Sequence, residues 1–230
     1  MSVIVPALNE EQNLKGAVDS IIASLRAHGT DWEIILIDDG SSDLTREIAL
    51  GLSNNNPRIK FLHHSRPMGV GYSFRDGVSH ATKDAVTFIP GDGENDPDEI
   101  IKYVPLLEYV DLVVPFIVNK EVRSWMRQFL SGLFVSIINF SFRTKFNCTN
   151  GNVIYKRNII EPIKQRSAGF FFQTECLIKA AKSGFIFAEV PMRIRTRAKG
   201  ESKAMSLRSL KAVVSEYLRL LAYIYFSRKG

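Results

Sequence analysis

The chain has little cysteine. Cys148 and Cys176 are the only two in 230 residues. That excludes a disulfide-stapled scaffold and suits a reducing compartment, with both thiols read as small buried hydrophobes. Long apolar runs are also missing. No stretch offers 18 uncharged apolar residues, so no membrane-spanning helix is expected. The start, MSVIVPALNEEQ, has no basic region, and Pro6 and Asn9 break its apolar run, so it does not read as a secretory signal. There is no G-x-G-x-x-G and no G-x-x-x-x-G-K-[ST], which excludes the usual dinucleotide-binding turn and a P-loop. The four histidines, at 28, 63, 64 and 80, show no metal-ligand spacing and read as surface or strand-end residues.

What is present is an ordinary globular composition, 45% hydrophobic and 23% charged, at a length that suits one domain over residues 1–230. The net charge of +6 is uneven. Residues 120–166 hold nine Lys/Arg against two acids, and residues 193–230 hold ten against two. The rest of the chain is therefore acidic. Basic regions on an acidic body point to an anionic partner, either phosphate or a membrane surface. A nucleic-acid partner is not expected, because no recognition motif accompanies the basic residues.

The first half alternates strands with helices. SVIVP, EIILID (33–38), RIKFL (58–62), VTFIP (86–90) and DLVVPF (111–116) read as strands. Between them fall helical patterns: one after Asn9, which can cap it with Gln12 three residues on, one over 44–52, one over 71–81, and one from Asp96 to Leu107. Such alternation predicts an α/β fold with a mostly parallel sheet and helices on both faces. Ligands then bind at the C-terminal ends of the strands. Residues 6–10, 38–43 and 91–96 all fall there, so they converge on one acidic crevice. Asp43 fits a turn cap, and Asp96 with Pro97 and Glu99 fits a helix start. Asp92 and Glu94 are left over. These hard oxygen donors suit Mg²⁺ or Mn²⁺, and a cation lets an acidic crevice hold a nucleotide diphosphate.

PALNEE, IDDGSSDLT (37–45) and GDGEND together resemble the family-2 glycosyltransferases of the GT-A fold. The segment 170–203, with its EVP, later Arg197 and G-x-S-K ending, and FNCTNGNVIYKR (146–157) are similar to dolichyl-phosphate mannose synthases and related polyprenyl-phosphate glycosyltransferases. The resemblance covers nearly the whole chain. It implies that Pro6, Leu8 and Glu10 line the nucleotide pocket and that Ile37 and Asp39 meet the base or ribose. It further implies that Asp92 and Glu94 hold the metal, that Arg197 and Lys203 reach the phosphates, and that Glu175 faces the acceptor. Three positions depart from the family pattern. Pro90 stands for the first Asp of Asp-x-Asp, Ile117 for an Arg, and Asn147 for an Asp.

Two later stretches, 121–142 and 206–226, combine apolar and aromatic residues with basic rims. They read as amphipathic helices lying on a membrane interface, the alternative being packing on the sheet or a homo-oligomer contact. The resulting expectation is a metal-dependent, inverting glycosyltransferase. It moves a sugar from a nucleotide-diphosphate donor to a polyprenyl phosphate, with Asp92, Glu175 and Arg197 at the reacting centre. The enzyme would be cytoplasmic, peripheral at the cytoplasmic face of an anionic membrane. The alternatives are transfer to a saccharide hydroxyl, with Glu175 as base, and an inactive sugar-nucleotide-binding relative.

Overall fold

A computed structural model describes residues 1–122, 124–194 and 207–226, with backbone only for 207–210. Seven strands form one sheet in the order β3-β2-β1-β4-β6-β5-β7. They are β1 (Ser2–Ala7), β2 (Glu33–Asp38), β3 (Ile59–His63), β4 (Ala85–Phe88), β5 (Leu112–Ile117), β6 (Ile154–Lys156) and β7 (Phe187–Met192). Only β6 runs against its neighbours, pairing antiparallel with β4 and β5. The mostly parallel expectation therefore holds.

The central strands are apolar on both sides, as strands covered by helices on both faces must be. Ile4, Ile35 and Ile37 pack on one face with Phe74 of α3 (Val70–His80), Phe142 of α5 (Trp125–Phe142) and Leu177 of α7 (Phe172–Lys182). Val3, Val5, Ile34 and Leu36 pack on the other with Leu14, Val18 and Ile21 of α1 (Leu14–Ala27). Burying each such side chain contributes roughly 1.5–3 kcal/mol. The remaining helices are α2 (Thr45–Asn55), α4 (Asp98–Ile101), α6 (Arg157–Ile160) and α8 (Leu207–Phe226).

Three local expectations are corrected. The helix from Asp96 to Leu107 is two pieces, α4 and a 3₁₀ turn over Val104–Glu108, because Pro105 has no N–H to continue the first. Asn9 does not cap α1. It adopts a left-handed φ of 58°, and the carbonyl of Glu10 accepts the amides of Asn13 and Leu14 instead. The stretch 121–142 yields α5 only from Trp125, preceded by a 3₁₀ turn over Lys120–Val122.

Candidate active site

The sheet order places β1 beside β4, where the direction of chain progression reverses. In open α/β sheets ligands bind beyond the strand ends at such a switch point. The loop after β1 is tied to the loop after β2. The side-chain carbonyl of Asn9 accepts the Ser42 N–H at 2.9 Å, Thr45 Oγ1 accepts the Glu10 N–H at 2.7 Å, and Glu11 accepts the Leu44 N–H at 3.0 Å. The turn after β4 closes the other side, where Gly91 donates its N–H to Pro6 at 3.0 Å. A Cβ on Gly91 would sit 2.8 Å from Leu14 Cδ1, so a larger residue here would have to displace the end of that side chain. Residues 6–10, 38–43 and 91–96 thus meet as expected. Pro6 is buried at the strand end, and Leu8 and Glu10 are half-buried above it.

Asp92 and Glu94 sit half-buried on the turn after β4. Asp92 Oδ1 accepts the Glu94 N–H at 3.0 Å, which fixes the turn. No group of three His, Cys, Asp or Glu side chains assembles a metal cage among the described residues. A two-carboxylate donor set fits Mg²⁺ or Mn²⁺, which take one or two protein carboxylates and complete their shell with water and substrate phosphates.

The same turn anchors the chain that leaves β7. Asn95 and Ile194 form an isolated antiparallel bridge. Asn119 grips Ile194 from the other side, accepting its N–H at 3.0 Å and donating to its carbonyl at 2.9 Å. Arg197 and Lys203 lie outside the described residues, but the segment that carries them starts at this bridge.

Asp39 is buried and heavily used. Oδ1 accepts the Met68 N–H at 2.9 Å and lies 2.7 Å from His64 Nδ1, while Oδ2 accepts the Gly69 N–H at 2.9 Å. It therefore builds the crevice wall, and among the described residues its partners take both acceptor positions of Oδ1 and one of Oδ2. Asp38, with no exposed side-chain surface, lies 2.8 Å from His63 Nδ1. The His63 and His64 partnerships escaped the sequence reading. Their signal was the pairing of Asp38 with His63 across β2 and β3, which sets an Asp-Asp pair beside a His-His pair.

Two other residues differ from the resemblance. Ile37 is fully buried among Ile4, Ile35 and Phe74 and exposes no atom to a base or ribose. Glu175 is 3% exposed and saturated with donors. It accepts the Arg166 and Ser167 amides at 3.1 and 2.8 Å and holds Lys179 Nζ at 2.5 Å. Burial pushes its carboxyl up, but Lys179 and Ser167 outweigh this and hold it below the ordinary value. A carboxylate so occupied is a poor proton acceptor and a good anchor for the 164–167 loop. Asn147, in place of an Asp, donates to Glu189 at 2.9 Å, a contact that two carboxylates could not make.

The two amphipathic helices lie side by side. Ser141 Oγ of α5 is 2.7 Å from the Tyr217 hydroxyl of α8, and Tyr225 donates to the Ser141 carbonyl at 2.6 Å. Their outer faces remain apolar, with Trp125 74% and Phe140 89% exposed beside Phe129, Leu133 and Leu218. Arg143, Lys145, Lys211 and Arg219 are also exposed. No helix among the described residues is long and apolar enough to cross a membrane.

Comparisons with known proteins agree with this architecture. The chain is 26% identical to a dolichol-phosphate mannosyltransferase of Pyrococcus furiosus, over 95% of this chain and 62% of the relative. It is 25% identical to a dodecaprenyl-phosphate galacturonate synthase of Rhizobium johnstonii, over 99% of this chain and 67% of the relative. Among solved structures it is similar to glucosyl-3-phosphoglycerate synthase from Mycobacterium tuberculosis in complex with Mg²⁺ and uridine diphosphate. The TM-score there is 0.73 and the identity 20%, over 96% of this chain and 79% of that one. The chain thus spans under two thirds of its Pyrococcus relative. Residues 2–163 match the model of glycosyl transferase family 2, and the chain belongs to that family.

Proposed function

We propose that this chain is a glycosyltransferase that moves a sugar from a nucleotide diphosphate to a polyprenyl phosphate at a membrane surface. The observation that carries this reading is the Asp92–Glu94 turn at the switch point, bridged through Asn95 to Ile194. Asp92 and Glu94, which we assign to the cation, adjoin Asn95, and its bridge partner Ile194 precedes in sequence a stretch rich in Arg and Lys. Nucleoside diphosphate and divalent cation occur together in similar structures, one with Mg²⁺ and UDP and another with Mn²⁺ and UDP-glucose. The prenyl acceptor is supported by the names of the two relatives.

When bound at Asp92 and Glu94, a divalent cation supplies Lewis-acid neutralisation of the departing diphosphate. The chain's own residues do the rest. Pro6, Leu8, Glu10 and Asp39 shape the nucleotide pocket, and Arg197 and Lys203 bring cations to the phosphates. Single displacement at the anomeric carbon inverts its configuration. A phosphate acceptor is already anionic near neutral pH and needs no base, which agrees with the occupied state of Glu175. A hydroxyl acceptor would need one. The exposed apolar faces of α5 and α8, with four exposed cations nearby, support peripheral contact with an anionic membrane.

The test is a screen of UDP- and GDP-sugars with Mn²⁺ or Mg²⁺, with and without a short polyprenyl phosphate. We expect nucleotide release that needs both metal and lipid acceptor. Release driven equally well by a free saccharide would overturn the acceptor assignment.

A further inference from the structure

His64 lies between two carboxylates. Its Nδ1 is 2.7 Å from Asp39 Oδ1 on β2's end, and its Nε2 is 3.1 Å from Asp76 Oδ2 on α3. The side chain is 9% exposed, so water supplies little alternative. A neutral imidazole carries one N–H and can donate to only one carboxylate. Its other nitrogen would turn a lone pair on an anionic oxygen. Only the imidazolium donates to both.

The surroundings favour that charge. Burial opposes it, but the hydrogen bonds His64 donates to Asp39 and Asp76 outweigh burial and raise the pKa above the ordinary 6.5. The other groups nearby are accounted for. His63 is committed to Asp38 at 2.8 Å. The Tyr72 ring meets His64 edge-on at 5.1 Å, and the Arg75 guanidinium sits over Tyr72 at 4.9 Å. His80 lies 3.6 Å from Asp76 Oδ1. Arg66, two residues along, is exposed.

Asp39 is also the residue that fixes the 64–69 segment, through the amides of Met68 and Gly69. Gly69 has a φ of 99°, and a Cβ there would lie 2.5 Å from the Ala168 carbonyl oxygen, so the segment has no slack. We infer that His64 is a positioning residue whose imidazolium locks Asp39 and residues 64–69 into the wall of the crevice, so that affinity for a nucleoside diphosphate falls as His64 deprotonates. This rests on the crevice being the nucleotide site. The cation-bearing state is complete at low pH and is lost as pH rises through the folded-state pKa, which is the raised one.

Three measurements on the full chain test it. The His64 imidazole, assigned by the resonance missing in His64→Gln, is titrated by NMR without nucleotide. The protection of the Met68 and Gly69 amides from exchange, relative to their intrinsic base-catalysed rates, is followed over the same pH range, also without nucleotide. The affinity for UDP and GDP with Mn²⁺ is then measured across that range. We expect titration above the ordinary imidazole value, lower protection beyond it, and affinity lower by about tenfold, the scale of one charge-assisted hydrogen bond. Asp76→Asn, at a carboxylate 28% exposed, should move all three midpoints down together without lowering the melting temperature much. His64→Arg, a permanent forked cation, should flatten the pH dependence of affinity. Protection that ignores the His64 titration overturns the locking, whatever the crevice binds. Wild-type-like pH dependence in folded Asp76→Asn and His64→Arg overturns the link to affinity. Protection that falls with the His64 titration in a protein that binds neither nucleotide would support the lock and sink the nucleotide reading alone.

Discussion

The ammonium of Lys179 stands 2.5 Å from Oε1 of Glu175, one turn away on α7, and both side chains are almost wholly buried. Lys179 also donates to the Lys164 carbonyl at 2.6 Å and lies 4.7 Å from the Tyr223 ring of α8. Removing the carboxylate strands a buried cation and two backbone amides. Glu175→Ala should therefore cost about 3–5 kcal/mol of stability in denaturant unfolding. Turnover per folded molecule should suffer far less. A variant of native stability with abolished turnover would return Glu175 to the part of a base.

The metal reading is tested on the turn after β4. Asp92→Asn should abolish metal-dependent turnover and leave the melting temperature near wild type, since the amide oxygen can still accept the Glu94 N–H. Glu94→Gln should be milder, raising the Mn²⁺ concentration needed for half-maximal rate. Wild-type activity of Asp92→Asn at limiting Mn²⁺ would remove the assignment.

At the opposite end of the sheet, Glu33 predicts a pH effect unrelated to catalysis. Burial pushes its carboxyl up, but Lys60, Ser2 and Thr82 together hold it down at about 2, against an ordinary 4.5. A depressed carboxylate stabilises fully above the unfolded-state value, and the contribution disappears as pH falls through the folded-state one. Roughly 3 kcal/mol should thus be lost between pH 4.5 and about 2. Urea unfolding across acid pH should show a shallower loss in Glu33→Gln than in wild type.

Vesicle binding checks the role of α5 and α8. The protein should sediment with anionic vesicles more than with neutral ones, and salt should weaken the association. Phe129→Ala with Leu133→Ala should reduce binding further, because each buried side chain contributes roughly 1.5–3 kcal/mol. Equal sedimentation with both vesicle types would discard the electrostatic share.

The crevice was legible in the sequence because β1, β2 and β4 each end in a short loop rich in acidic residues, Asn or Gly, and the C-terminal ends of parallel strands gather at one sheet edge. β1 to β5 were readable as apolar runs. β6 was not, because three residues carry no periodicity. β7 is an edge strand with Glu189 and Pro191 in its middle, both poor strand signals. Asp39 and Glu175 stood out as acids in the right place, but only the fold reveals that backbone amides already occupy most of their oxygens. Asn95 and Asn119, ordinary loop residues by composition, turn out to hold the exit from β7.

The insertion of β6 between β4 and β5 sets an order on synthesis. β5 reaches the central strands only through β6, and β7 reaches them only through β5. Once residues up to about Phe88 have emerged, the ribosome has delivered a four-stranded parallel sheet with the edge of β4 unpaired. That edge stays unpaired while more than sixty further residues are made, until Ile154–Lys156 arrive. Such an edge invites intermolecular pairing. A nascent chain stalled between these points should depend on chaperones for its solubility, and one stalled well beyond Met192 should not.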